Sequence, residues 1–148
     1  MKKTLMTRIV DSTSEVMETM FYMSVEYRKN LSLGETPLGT QIPETCMLSF
    51  SGAMTGTLLL AMPAGVLEAL SCSFLGAAQG DVTAAEKEGT LKEALNMITG
   101  NALSRMDPQK SHHLGIPEAA PFSRLTDLED TMIFETSQGF FVLGVALS

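Results

Sequence analysis
Residues 83–107 read TAAEKEGTLKEALNMITGNALSRMD. Val82 and Ala85, then Leu91, Leu95, Ile98 and Ala102 at steps of four, three and four, form the apolar stripe of an α-helix. Thr83 can accept from the free backbone N–H groups of the first turn, and Glu86, three residues on, completes a capping box. Asp107 and Pro108 stop the helix. The face opposite the stripe holds Glu86, Glu93, Asn96 and Gly100.

Moving toward the N-terminus, residues 76–80 form a small-residue linker. Residues 64–75 place Val66, Leu67, Leu70 and Phe74 at helical spacing behind Pro63, a residue well suited to a helix start. Residues 46–51 and 56–62 are apolar runs of strand length around Gly52, Ala53, Met54 and Thr55, which predicts a hairpin. Residues 28–43, with Asn30, Gly34, Pro37, Gly39 and Pro43, read as loop with room for a short edge strand. Leu5, Ile9, Val16 and Met20, flanked by Met6, Val10, Met17 and Phe21, predict a first helix over residues 3–23. Toward the C-terminus, residues 109–127 carry Gly115, Pro117 and Pro121 and read as a long connection. Residues 131–136 and 140–147, around Ser137, Gln138 and Gly139, predict a closing hairpin.

A helix followed by a hairpin thus occurs twice. Glu15, Glu18 and Tyr22 lie 78 positions before Glu93, Asn96 and Gly100, and the hairpin glycines Gly56 and Gly139 lie 83 apart, so a five-residue insertion superposes the halves. The expected fold is α+β: one pseudo-symmetric domain over residues 1–148, with helices covering an antiparallel β-sheet.

At 148 residues with 45% hydrophobic side chains and a mean hydropathy of +0.16, the chain is long and apolar enough for one core, which excludes a disordered class. A net charge of −7 has the wrong sign for neutralising nucleic-acid phosphates. Cys46 and Cys72 have neither CxxC spacing nor His-rich surroundings and read as core residues. The 11 methionines, several in the first helix, read as adaptable core rather than a partner groove. His112 and His113 are adjacent, point apart, and read as loop residues rather than metal ligands. Lys2 and Lys3 are followed by Thr7, Arg8 and Asp11, which interrupt any export-signal apolar run. The uncharged residues 45–67 contain too many Ser, Thr, Gly and Pro for a membrane span. A cytoplasmic protein is expected.

No P-loop, nucleophile elbow, HExxH or dinucleotide fingerprint is present. What remains is the polar face of residues 93–100. Glu93 and Asn96 stand at i and i+3 on one side of a helix, and Gly100, four residues further, leaves that side bare. Glycine inside a helix costs about 1 kcal/mol relative to alanine and asks for a reason. On spacing alone the simpler reading is a solvated face whose glycine packs against the first helix.

These residues resemble the CheC/CheX/FliY family of chemotaxis phosphatases, whose helical motif is ExxNxxxG with Asp or Ser four positions before the Glu. Glu93, Asn96 and Gly100 fill three positions, and Gly89 stands at the fourth. The string from Asn96 to Ala102 and the later Leu114-Gly115-Ile116-Pro117 are similar to CheX-type members in particular. In two-site members the first helix carries its own ExxN pair. Here Glu18 replaces the amide and Tyr22 the glycine, so the resemblance implies one active face.

The resemblance implies a hydrolase acting on the aspartyl-phosphate of a CheY-type response regulator. Asn96 would orient the attacking water and Glu93 would dock against the regulator's active-site lysine. Gly100 would permit the approach, with Glu86 and Asn101 also meeting the partner. It further implies no cofactor of the chain's own, Mg²⁺ being supplied by the regulator, and a homodimer joined at strand edges, for which residues 46–51 and 140–147 are the candidates. A receiver-binding or flagellar-switch-like module without turnover is the alternative, and Gly89 is the residue that keeps it open.

Overall fold
The computed structural model describes residues 1–148. In chain order it contains α1 (Lys2–Met20), β1 (Glu26–Tyr27), a 3-10 turn (Leu33–Glu35), α2 (Leu38–Gln41), β2 (Glu44–Gly52) and β3 (Gly56–Met62). There follow α3 (Ala64–Leu75), α4 (Ala84–Met106), β4 (His112–Leu114), β5 (Glu118–Ala120), α5 (Ser123–Thr126), β6 (Asp130–Thr136) and β7 (Gly139–Leu147). The strands form one antiparallel sheet in the order β1-β6-β7-β3-β2-β4, with β5 also paired to β2.

The strand order confirms the repeat. A helix and outer strand followed by a hairpin appears first as α1, β1, β2 and β3, then as α4, β4 with β5, β6 and β7. The halves meet along β3 and β7, where Leu60 faces Leu143. These two residues are 83 positions apart, the same offset as Gly56 and Gly139, so the pseudo-two-fold axis passes between a residue and its own counterpart. Each half lends its outer strand to the other: β1 pairs with β6, and β4 and β5 pair with β2.

From Leu58 to Met62 every residue of β3 is buried, because the strand is central and covered on both faces. The main core lies between the sheet and the helices. Leu5, Ile9 and Met17 of α1, Val66 and Leu70 of α3, and Leu91, Leu95 and Ile98 of α4 meet Leu48, Leu60, Phe134, Phe141 and Leu143 there. A smaller cluster on the opposite face joins Leu59, Ala61, Ile133 and Val142 to Leu38 of α2 and Leu125 of α5. No helix is long and apolar enough to cross a membrane.

Three expectations need correction. Helix α1 ends at Met20 rather than at residue 23. Phe21 and Met23 are both buried while Tyr22 is 80% exposed, a period-two pattern that a helix cannot deliver. The chain therefore turns through a left-handed Tyr22 (φ 53°), and the Met23 N–H donates to the Met17 carbonyl (2.9 Å).

The connection expected over residues 109–127 instead carries β4, β5 and α5, and it places His112 and His113 in a strand. Strands β4 and β5 run along β2 as one interrupted edge. Residues 115–117 oppose only Leu48 and Ser49, so one extra residue bulges out. At Gly115 the N–H donates to the Ser49 carbonyl (2.7 Å), and a Cβ would stand 3.0 Å from that same oxygen. Finally, residues 46–51 and 140–147 are not edges: β2 is flanked by β3 and by β4 with β5, and β7 by β3 and β6. The open edges belong to β1 and to the β4–β5 segment.

Leu60→Ala and Leu143→Ala, at the two sides of the axis, should each cost about 3 kcal/mol of stability in urea denaturation. Ile116→Ala on the exposed bulge should stay within about 0.5 kcal/mol of wild type.

Candidate active face
Helix α4 is started by the expected capping box. The Thr83 hydroxyl accepts from the Glu86 N–H (3.1 Å), and the Glu86 carboxylate accepts from the Thr83 N–H (2.9 Å). The Thr83 N–H holds the Glu86 carboxyl below the usual carboxylate range. On the α3 side, Lys87 bridges to Glu68 (2.7 Å), whose other oxygen accepts from the Gly80 N–H (2.8 Å) and so ties the 76–80 linker to both helices.

Toward α1 the contact is polar. The Ser12 hydroxyl donates to the Asn101 amide oxygen (2.7 Å), the Arg105 Nε donates to the same oxygen (2.8 Å), and the Arg105 guanidinium pairs with Glu15. Four side chains thus fix the position of α4 against α1. No single helix reveals this network, because Ser12 and Asn101 are 89 residues apart.

Between these fixed flanks lies an open stripe formed by Gly89, Glu93, Asn96 and Gly100, spaced by four, three and four residues. Glu93 is half-buried and Asn96 exposed, and neither side chain has a hydrogen-bond or ion-pair partner within the chain. Their charged neighbour Lys92 is paired with Glu88 (2.9 Å). The carboxylate and carboxamide are therefore free to meet something outside the chain.

Gly100 does not pack against α1. The nearest atom to a Cβ built there is Leu114 Cδ2 at 3.9 Å, an ordinary contact, and a Cβ at Gly89 would meet nothing within 4 Å. No packing inside the chain accounts for either glycine. Gly100 stands between two surface hollows, one reaching α1 at Val16 and Met20, the other reaching β4 at His112 and Leu114.

The sequence-derived residues thus separate. Glu93, Asn96 and Gly100 share the outward stripe. The Glu86 carboxylate is engaged at the cap and the Asn101 oxygen in the α1 network. On α1, Glu15 is ion-paired, Glu18 is exposed and Tyr22 lies beyond the helix, so the first half does not repeat the stripe.

No group of three or more His, Cys, Asp or Glu side chains converges as a metal site. Cys46 is buried, and burial pushes its thiol up to about 12, so it stays protonated at neutral pH. Cys72 is half-buried and likewise free.

The family model described as chemotaxis phosphatase CheX matches residues 44–125, a span that contains the whole stripe. Among solved structures, the chemotaxis protein CheX of Vibrio vulnificus superposes with a TM-score of 0.75 at 15% identity, covering 97% of this chain and 96% of that one. The CheX chain of the CheX–CheY–BeF3–Mg2+ complex from Borrelia burgdorferi gives 0.70 at 12% identity, with 96% of each chain covered. The middle domain of FliM from Vibrio alginolyticus gives 0.60 at 14% identity, covering 97% of this chain and 90% of that one. No curated protein matches the chain in sequence.

Gly89→Ala and Gly100→Ala should each raise stability by up to about 1 kcal/mol in thermal denaturation, since helix propensity improves and nothing is displaced. Destabilisation would reveal an internal need for the glycine. Because the Glu86 carboxyl is lowered in the folded state, its contribution is present above the unfolded carboxylate range and lost as pH falls through the lowered value. The stability gap between wild type and Glu86→Ala should therefore close in acid, as a pH series of melting curves would show.

Proposed function
Because the chain belongs to the CheX family of chemotaxis phosphatases, we propose that it hydrolyses the aspartyl-phosphate of a CheY-type response regulator through the Glu93–Asn96 stripe of α4. One observation carries this reading: a carboxylate and a carboxamide without internal partners stand between two helix glycines that no internal packing requires. A face kept flat at a cost of about 1 kcal/mol per glycine suits the close approach of another protein's backbone. The relative from Borrelia burgdorferi, whose fold this chain shares, was solved in complex with CheY.

The chemistry asks little of the enzyme. An acyl phosphate is already activated, so the requirement is a water held in line with phosphorus while charge builds on the equatorial oxygens. Asn96 is neutral and takes up no proton. Its C=O accepts a hydrogen bond from the water and aims the lone pair at phosphorus. Attack forms the new P–O bond, breaks the bond to the aspartyl oxygen, and releases the carboxylate and inorganic phosphate. Mg²⁺ and the active-site lysine of the regulator would hold the oxygens, so on this reading the chain brings no cofactor. Glu93 pairs with that lysine and sets the register of docking, and Gly100 admits the regulator's backbone. Glu86 and Asn101 support the stripe from within, by capping α4 and by anchoring it to α1.

This reading places the protein in the cytoplasm with its regulator. For a homodimer built by strand pairing, β1 and the β4–β5 segment are the edges available in place of the two inner strands first considered. A second reading, a docking module without turnover, draws on Gly89, which stands where the family motif carries Asp or Ser.

The test is the lifetime of a phosphorylated CheY-type regulator in Mg²⁺ after removal of the phosphodonor. Wild type should shorten it catalytically, and Asn96→Ala should restore it while leaving regulator affinity within about threefold. Glu93→Ala should weaken binding by about tenfold, the value of one charge-assisted pair. Activity of Asn96→Ala equal to wild type would end the water-positioning role. Binding without shortening by wild type would select the docking module.

A further inference from the structure
Of the ten lysines and arginines, Lys2, Arg28, Lys87, Lys92, Arg105 and Lys110 are each paired with a carboxylate. Lys3, Arg8, Lys29 and Arg124 have no such partner. Three of these four line one hollow of about 710 Å³ between the N-terminal half of α1 and the segment at β1. In a chain of net charge −7, three unpaired cations gathered around one groove repel one another, and Asp11 is the single acid among the lining residues.

Arg8 adds an independent observation. Its Nε is closed to solvent and donates to nothing in the chain, and no other acceptor or carboxylate of the chain meets the guanidinium, so the head group has no internal partner. The first turn of α1 also has no acidic residue, so Lys2 and Lys3 stand at the positive end of the helix dipole. Beneath the cations, Met6, Val10 and Tyr27 supply an apolar surface, and the Tyr27 ring is held by Phe134 at 5.4 Å between centroids.

We infer that this groove binds a nucleoside phosphate, with the phosphates on Lys3, Arg8 and Lys29 and the base against Met6, Val10 and Tyr27. The hollow falls within the roughly 300–1,000 Å³ range of small-molecule sites. With Arg124 the one other unpaired cation, there is no extended basic track for a polynucleotide. None of the lining residues belongs to the Glu93–Asn96 stripe, so this site is separate from the proposed phosphatase face.

Calorimetric titration of the full chain at low salt with a purine nucleoside triphosphate and with pyrophosphate tests the assignment without any regulator present. The nucleotide should bind with an affinity that falls as salt rises, and pyrophosphate, which leaves the apolar surface unused, about tenfold more weakly. Arg8→Gln and Lys29→Gln should each lower nucleotide affinity about tenfold, while Arg124→Gln should leave it unchanged. Lys29 is exposed, so its variant stays informative even if the half-buried Arg8 stem is needed for folding. Absence of nucleotide binding, equal affinity for pyrophosphate, or a Lys29→Gln protein that binds like wild type would overturn the assignment.

Discussion
Leu60 and Leu143 face each other where β3 and β7 pair, and the rest of the molecule is arranged about that contact. The seam joins two halves whose long helices α1, α3 and α4 lie on one side of the sheet, with α2 and α5 on the other, so both strands are buried on both faces. It also determines where α4 runs, since Leu91, Leu95 and Ile98 pack on the sheet surface beside it. With its apolar side committed there, α4 has to turn Glu93 and Asn96 outward. The polar network from Ser12 through Asn101 and Arg105 to Glu15 then fixes α4 laterally. The stripe is presented by an element held on three sides, which is how a side chain keeps the position that aiming a water demands.

What the sequence revealed was what local chemistry decides. Helices α3 and α4 begin where Pro63 and the Thr83–Glu86 box place them, because a helix start is a problem of a few N–H groups solved by nearby residues. Both hairpins were legible because their apolar runs and turn glycines are contiguous. Strands β4 and β5 were not, since three residues form a strand only when a partner is supplied, and that partner, β2, lies sixty or more positions earlier. The early end of α1 was hidden for a related reason: Phe21 continues the helical spacing, and the core claim on Met23 comes from tertiary packing. Edge status was misjudged because strand order is a property of the whole sheet.

At the candidate site the same division holds. Glu93, Asn96 and Gly100 could be read together because helical geometry alone aligns them. That Gly100 touches nothing on α1 is decided by how the two helices pack, and it reverses the simpler reading of the glycine as a packing residue. The internal engagement of Asn101 and the gathering of Lys3, Arg8 and Lys29 depend on residues brought together from different elements, with no local spacing to betray them.

The exchange of outer strands has a consequence for synthesis. Until β7 emerges, the first half holds a hairpin whose β3 strand is wholly apolar from Leu58 to Met62 and has one unpaired edge, while β1 waits for β6. Neither half closes its own sheet, so the nascent chain carries an aggregation-prone edge through the second half of its translation. The pairings that finally cover it span about eighty to ninety residues, so closing the sheet depends on contacts that cost loop-closure entropy before they are made.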